Sequence, residues 1–247
     1  MRDDHLQLVA QMKAVTVSRE YGSGGGEIAA RLAQRLNWTL FDHAVVQQVA
    51  HKLGISLSEA EEHDENEESL GDALLRACQL IQPTMSATIP GIPQGMDDKI
   101  YRTAFRQVIA AAFAAGHVVI VGRGAQFLLA SQRDVLHVRI ICPFEQRVIY
   151  VMRREQLSRS DAVDRIHYIE QGRKRAVQHQ YHQDLSNPLL YDFTVNTHVL
   201  TLERAVDLLQ FALLSKAERL SVPDDQLGPG MNVTPYLQEL KDFPFPP

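Results

Sequence analysis

The residues best suited to chemistry form one short run, Arg19-Glu20-Tyr21-Gly22-Ser23-Gly24-Gly25-Gly26. Glycines carry no Cβ, so successive backbone N–H groups can close around phosphate oxygens. A helix beginning where the run ends adds unpaired donors and positive potential. A second candidate is Gly122-Arg123-Gly124, where the guanidinium could clamp a phosphate through two parallel N–H bonds. A third is a basic stretch: Arg147, Arg153, Arg154, Arg159, Arg165, Arg173, Lys174 and Arg175 fall within 29 residues. Transfer of a phosphoryl group needs little covalent help from a protein. It needs charge compensation and exclusion of water. Arg154, Arg165, Arg173 and Arg175 could supply both from a segment that closes over the glycine run.

Alternating elements must hold these groups in place. Ala14–Ser18 reads as a strand and residues 27–36 as a helix with Ile28, Leu32, Ala33 and Leu36 on one side. Strand, glycine turn and helix in that order is a common opening of a phosphate-binding α/β domain. Trp38–Phe41 suggests a short second strand, and Ala44–Leu53 a helix. Asp98–Ala115 has helical periodicity, with Ile100, Phe105, Val108, Ile109, Ala112 and Phe113 toward the core. His117–Val121 reads as a buried strand, and Gly122-Arg123-Gly124 follows at its carboxyl end, where ligands of open α/β sheets collect. A helix from Ala125 to Ala130, a strand from Val135 to Cys142, two helices across residues 143–182, a strand from Asp192 to Thr197 and a helix from Leu202 to Lys216 complete the rhythm. Thr201 is placed to cap the last helix. The pattern predicts a largely parallel sheet covered on both faces.

Composition narrows the function classes. The chain has 247 residues, 45% of them hydrophobic, and a formal net charge of −5. That supports a core without metal or disulfide staples and argues against a general nucleic-acid binder. Cys78 and Cys142 read as buried thiols in a reducing, cytoplasmic compartment. No segment has the length and apolarity of a membrane span. The seven acids among residues 59–68 read as a solvated helix face, and His179 and His182 lack zinc-ligand spacing, so no protein-held metal site is expected. Residues 83–97 hold three prolines and two glycines and read as an excursion from the core.

Two familiar phosphate patterns fail on the glycine run. If Gly24 is the second glycine of GxxxxGK followed by Ser or Thr, then Arg19 falls at the first glycine, Gly25 at the lysine and Gly26 at the hydroxyl. GxGxxG fits Gly22 and Gly24 but meets Glu27 at its third glycine. Asp42 lies at the distance of a ribose-binding acid, which keeps a dinucleotide reading open.

Taken together, VTVSREYGSGGGEIAARLAQRL at 15–36, LFDHAVVQQVAHKLGIS at 40–56, VVIVGRGAQFLLA at 118–130, VLHVRIICPFEQRVIYVMRREQLS at 135–158 and YDFTVNT at 191–197 resemble the cytidylate kinase-like family of the P-loop nucleoside monophosphate kinases. The resemblance implies an α/β fold of the P-loop nucleoside triphosphate hydrolase type, with a mostly parallel central sheet flanked by helices and a helical lid. It implies one domain over residues 1–220, with a variable acceptor-side region near 56–100, a lid near 147–182, and a Pro/Gly-rich tail over 221–247. It implies ATP with Mg²⁺ at Gly22, Ser23, Gly24, Gly25, Gly26 and Glu27, and a nucleoside monophosphate, CMP or dCMP first, at Asp42 and Arg123. Arg19, Arg154, Arg173 and Arg175 would serve the transferring group. Classical relatives carry lysine and a hydroxyl residue at Gly25 and Gly26, and an acid at Gly124 and in the lid near Gly172. The missing cation must then come from Arg19 or a lid arginine. The alternative is a nucleotide-binding regulatory protein with a degenerate P-loop and little transfer. A homodimer is compatible with the chain's size and its proline-rich tail.

Overall fold

The computed structural model describes residues 3–42 and 98–228. The helix expected over residues 44–53, the acidic run, the excursion at 83–97, Cys78 and the tail beyond residue 228 lie outside the described residues. Five strands form one sheet: β1 (Ala14–Arg19), β2 (Thr39–Phe41), β3 (Val118–Val121), β4 (Val135–Ile141) and β5 (Phe193–Asn196). Their order is β2-β3-β1-β4-β5 and every pairing is parallel. The α/β architecture expected from the alternating pattern is therefore the one observed.

Burial explains the strand sequences. Ala14 to Ser18 and all of β3 are buried, and strands sheltered on both faces are uniformly apolar rather than alternating. Helices α1 (Asp3–Val9), α2 (Gly25–Leu36) and α7 (Leu202–Ala217) pack a common core through Val9, Ile28, Leu32, Val206, Leu209 and Leu213. Each fully buried aliphatic side chain contributes about 1.5–3 kcal/mol. Arg35 of α2 pairs with Asp207 and Glu203 at the exposed seam with α7. Such exposed pairs add at most about 1 kcal/mol each.

Helix α3 (Asp98–Ala115) matches its predicted bounds, with Val108, Ile109 and Ala112 buried. The short α4 (Ala125–Leu128) follows the Gly122–Gly124 turn. Helices α5 (Phe144–Glu155) and α6 (Arg159–Tyr181) share a separate apolar cluster of Val148, Val151, Ala162 and Ile166. Ser158 caps α6 by accepting from the Asp161 N–H, and Thr201 caps α7 through the Arg204 N–H.

Several elements differ from the sequence reading by one or two residues, and three differences have identifiable reasons. Helix α2 starts two residues earlier than expected, at Gly25, because left-handed Gly24 (φ 75°) serves as its N-cap. His117 lies outside β3 with φ 54°, completing a turn that Gly116 begins. Cys142 is half-buried rather than enclosed, since it leaves β4 at the carboxyl edge of the sheet. Among the described residues, no helix is long and apolar enough to cross a membrane.

Parallel pairing also buries a histidine. Thr16 Oγ1 and His137 Nδ1 lie 2.7 Å apart on adjacent strands. Burial pushes this imidazole below its usual value; Asp192 opposes the shift and Lys216 adds to it. The unfolded chain therefore takes up a proton near pH 6.5 that the folded chain refuses, so stability is held above that pH and lost as pH falls below it. Between pH 7.5 and 5.5 the urea midpoint should fall more steeply for the wild type than for His137→Asn. Parallel slopes would remove His137 from the acid limb.

Candidate functional site

Three segments converge at the carboxyl ends of the central strands. Register pairs Val17 with Val121 and Arg19 with Ile140, so the loop after β1, the turn after β3 and the start of α5 after β4 emerge side by side. This is the edge at which open α/β sheets bind ligands.

The loop is fixed from beneath. Glu20 O accepts from Ser23 Oγ at 2.8 Å and from Ser23 N at 3.3 Å. Ser23 O accepts from Thr197 Oγ1 at 2.9 Å. A Cβ on Gly22 (φ 81°) would press on Arg147 O and Val151 Cγ2, each at 3.0 Å, and one on Gly24 would press on Leu202 Cδ2 at 2.8 Å. The loop thus lies directly on α5 and the start of α7. Gly26 is different: a Cβ there would meet nothing within 4 Å. Its outward face is open, beside first-turn N–H groups that have no acceptor within their own helix.

Arg147 anchors this loop to α6. It is 7% exposed, donates to Glu170 Oε1 at 2.6 Å and to Tyr21 O at 3.3 Å, and lies 3.6 Å from Glu20 Oε2. Glu170 also accepts the Tyr21 N–H at 3.2 Å, while Glu20 accepts the Cys142 N–H at 2.9 Å. Within the basic stretch, this arginine is therefore a structural tie. Arg159 pairs with Glu145, and Arg165 with Glu155. Glu155 also accepts the Tyr21 hydroxyl.

Arg154 donates to Tyr150 Oη at 2.8 Å and lies 3.4 Å from Glu27, which accepts from Tyr150. Burial, with Glu27 as hydrogen-bond partner, pushes the Tyr150 phenol up to about 12. Glu27 is thus occupied by α5 contacts at the start of α2. Arg175 is exposed and bonds Gln171 along its own helix. Arg173 instead turns inward, donating to Arg19 O at 3.1 Å with its guanidinium 5.6 Å from the Tyr21 ring centre.

Arg19, Arg123, Arg139 and Arg173 form one electrostatic cluster. Burial pushes the Arg19 guanidinium well down, and Arg173, Arg123 and Arg139 push the same way while Asp42 opposes. Burial likewise lowers Arg173; Glu170 and Tyr21 oppose, and Arg123 and Arg139 add to the shift. Arginine does not deprotonate in proteins, so these charges persist. Arg139 was not singled out in the sequence because it sits alone inside an apolar strand. It donates to Ser18 Oγ at 2.8 Å. The predicted residues Arg19, Asp42, Arg123 and Arg173 are brought together, whereas Arg154 and Arg175 are directed elsewhere.

The second glycine turn is tightly wound. Gly122, Arg123 and Gly124 all have positive φ, at 76°, 59° and 71°. A Cβ on Gly124 would lie 2.5 to 2.8 Å from Tyr181 Cε2, Cζ and Oη. Tyr181 stacks on Phe127 with ring centres 4.6 Å apart, and its buried hydroxyl has no hydrogen-bond partner among the described residues. No group of three metal-ligating side chains occurs among the described residues.

A family model for the cytidylate kinase-like family matches residues 14–199, a span that contains both glycine turns and helices α5 and α6. The chain belongs to this family. A cytidylate kinase from Ignicoccus hospitalis is 26% identical over 204 residues, covering 82% of this chain and 100% of the relative. An uncharacterized protein from Eubacterium ventriosum superposes with a TM-score of 0.58 at 17% identity, covering 81% of this chain and 98% of that one. That likeness shows the shared fold. A shikimate kinase from Bacteroides thetaiotaomicron gives a TM-score of 0.44 at 15% identity, covering 82% and 98%.

The Gly124 contact is testable by itself. Gly124→Ala should cost about 2–4 kcal/mol, combining left-handed strain with crowding of the tyrosine ring. In a Tyr181→Ala background the same change should cost only about 1–2 kcal/mol, the strain alone. Equal costs in urea denaturation would show that the ring does not press on Gly124.

Proposed function

We propose that this protein is a nucleoside monophosphate kinase that moves the γ-phosphoryl group of Mg-ATP to a nucleoside monophosphate, CMP or dCMP first. An oxygen of the acceptor phosphate would attack the γ-phosphorus, the bond to the β–γ bridging oxygen would break, and ADP would leave. The observation that carries the reading is the cluster of Arg19, Arg123, Arg139 and Arg173 between two glycine turns. Phosphoryl transfer is limited by charge held in place, and such a half-buried cluster is suited to it.

The residues present fit a polyphosphate. Gly22 and Gly24 hold left-handed backbone, Gly26 faces open space, and the first turn of α2 offers N–H donors. Mg²⁺ is often held by substrate phosphates, water and one or two carboxylates rather than by an all-protein cage. In this reading the ion is carried by ATP itself, Gly22 to Glu27 receive ATP, and Arg123 with Asp42 receives the acceptor. Arg19 and Arg173 face the group in transit. Arg154 lies beside Glu27 on the ATP side of the site, and Arg175 bonds Gln171 along α6.

The test is steady-state ADP formation from Mg-ATP across CMP, dCMP, UMP and AMP, beside Arg123→Ala. One acceptor should turn over well above background, and the variant should lower its kcat/KM by about 100-fold or more. A flat panel from folded protein that still binds ATP in calorimetry would replace the kinase reading with that of a nucleotide-binding regulatory protein.

A further inference from the structure

The glycine run departs from GxxxxGK at two positions, and in the structure these positions touch. Arg19 stands at the first glycine and Gly25 at the lysine. A Cβ built on Gly25 would lie 2.6 Å from Arg19 Cβ and 3.2 Å from its Cγ. Arg19 Cβ is fixed by the backbone of β1, which pairs in register with β4, so no rotamer relieves that contact. The fold holds a side chain at position 19, and one at position 25 would also sit 3.2 Å from Ile140 Cβ, which would have to give by a few tenths of an ångström. The fold does not have room for both.

The rest of the Arg19 side chain follows from the same geometry. Past Gly25 it crosses to the turn after β3, where Nη1 takes the space that a Cβ on Gly122 would fill. Two glycines, one on each side of the cleft, therefore clear a path for one arginine. Its guanidinium ends between the glycine loop and the Arg123 turn, in the combined field of Arg173, Arg123, Asp42 and Arg139. In GxxxxGK loops a lysine from the start of the helix reaches the β- and γ-phosphates.

We propose that Arg19 and Gly25 are a reciprocal exchange of that glycine and lysine. The phosphate-facing cation is carried by the end of β1 instead of the start of α2, and Gly25 and Gly122 are kept bare to let it pass. The exchange changes more than the origin of the charge. A guanidinium presents a planar fork of donors where lysine presents a point charge. Placed between the two glycine turns, that fork can bond a donor phosphate on one edge and an acceptor phosphate on the other.

The turnover part of this inference rests on the kinase reading, but the phosphate-contact part does not. The experiment therefore measures ATP affinity by calorimetry beside ADP formation, for wild type, Arg19→Gln, Arg19→Gly, Gly25→Lys and the double variant R19G/G25K. Glycine is used in the double variant because alanine would keep the obstructing Cβ. Arg19→Gln keeps most of the shape without the charge. It should weaken ATP binding at least tenfold and lower turnover at least 100-fold. Gly25→Lys should melt below the wild type, and adding Arg19→Gly should restore melting and recover at least tenfold of the ATP affinity that Arg19→Gly loses.

ATP affinity within threefold of wild type in Arg19→Gln would overturn the proposal. So would a folded double variant that binds ATP no better than Arg19→Gly. Should the double variant fail to fold, Arg19→Gln alone decides. Should the wild type bind ATP but turn over no acceptor, the kinase reading fails while the affinities still decide the exchange.

Discussion

Repulsion among half-buried like charges is the constraint on which this structure turns. Two unit charges about 5 Å apart at an effective dielectric constant near 20 repel by about 3 kcal/mol. Arg173, Arg123 and Arg139 push Arg19 down in this way, and Arg123 and Arg139 do the same to Arg173, while Asp42 opposes the first shift and Glu170 the second. A fold that keeps such a cluster has to hold it rigidly. The parallel register does so, because β1, β3 and β4 deliver Arg19, Arg123 and Arg139 from adjacent strands. The apolar interiors of those strands supply the stability that the charged edge takes away.

The helical pair is tied into the same edge. Arg147 joins Glu20 and Tyr21 of the loop to Glu170 of α6, and Arg173 reaches Arg19 O one turn farther along that helix. A displacement of α6 would therefore alter the loop and remove one guanidinium together. The Arg147–Glu170 pair is only partly buried, so the proposed closing segment moves against a resistance smaller than that of a fully buried pair. The Tyr181 ring, at the far end of α6, covers Gly124 in the acceptor-side turn. One helix thus contacts both halves of the proposed site.

Much of the fold was legible because buried parallel strands and amphipathic helices leave plain patterns. The bounds of α3 and the N-cap of α7 follow from periodicity and capping chemistry alone. The dinucleotide alternative rested on the spacing of Asp42, and Asp42 lies instead within the field of the arginine cluster. The basic stretch was harder to read, since a run of arginines does not show which are matched by carboxylates. Arg147, Arg159 and Arg165 are matched, and Arg173 points to the loop. Arg139 gave no local signal, because only the sheet register brings it beside the cluster. The meaning of Gly25 was equally hidden. Its neighbour in space is Arg19, six positions earlier, and only the backbone path of the loop makes them touch.

The central claim is that the arginine cluster is completed by phosphate. The most direct test is the melting temperature of the wild-type protein titrated with inorganic triphosphate, against sodium sulfate matched in ionic strength. Binding to the folded state alone raises the melting temperature as the ligand exceeds its Kd. The account predicts a saturable rise with triphosphate well above that with sulfate. Equal shifts for the two anions, or none, would contradict it.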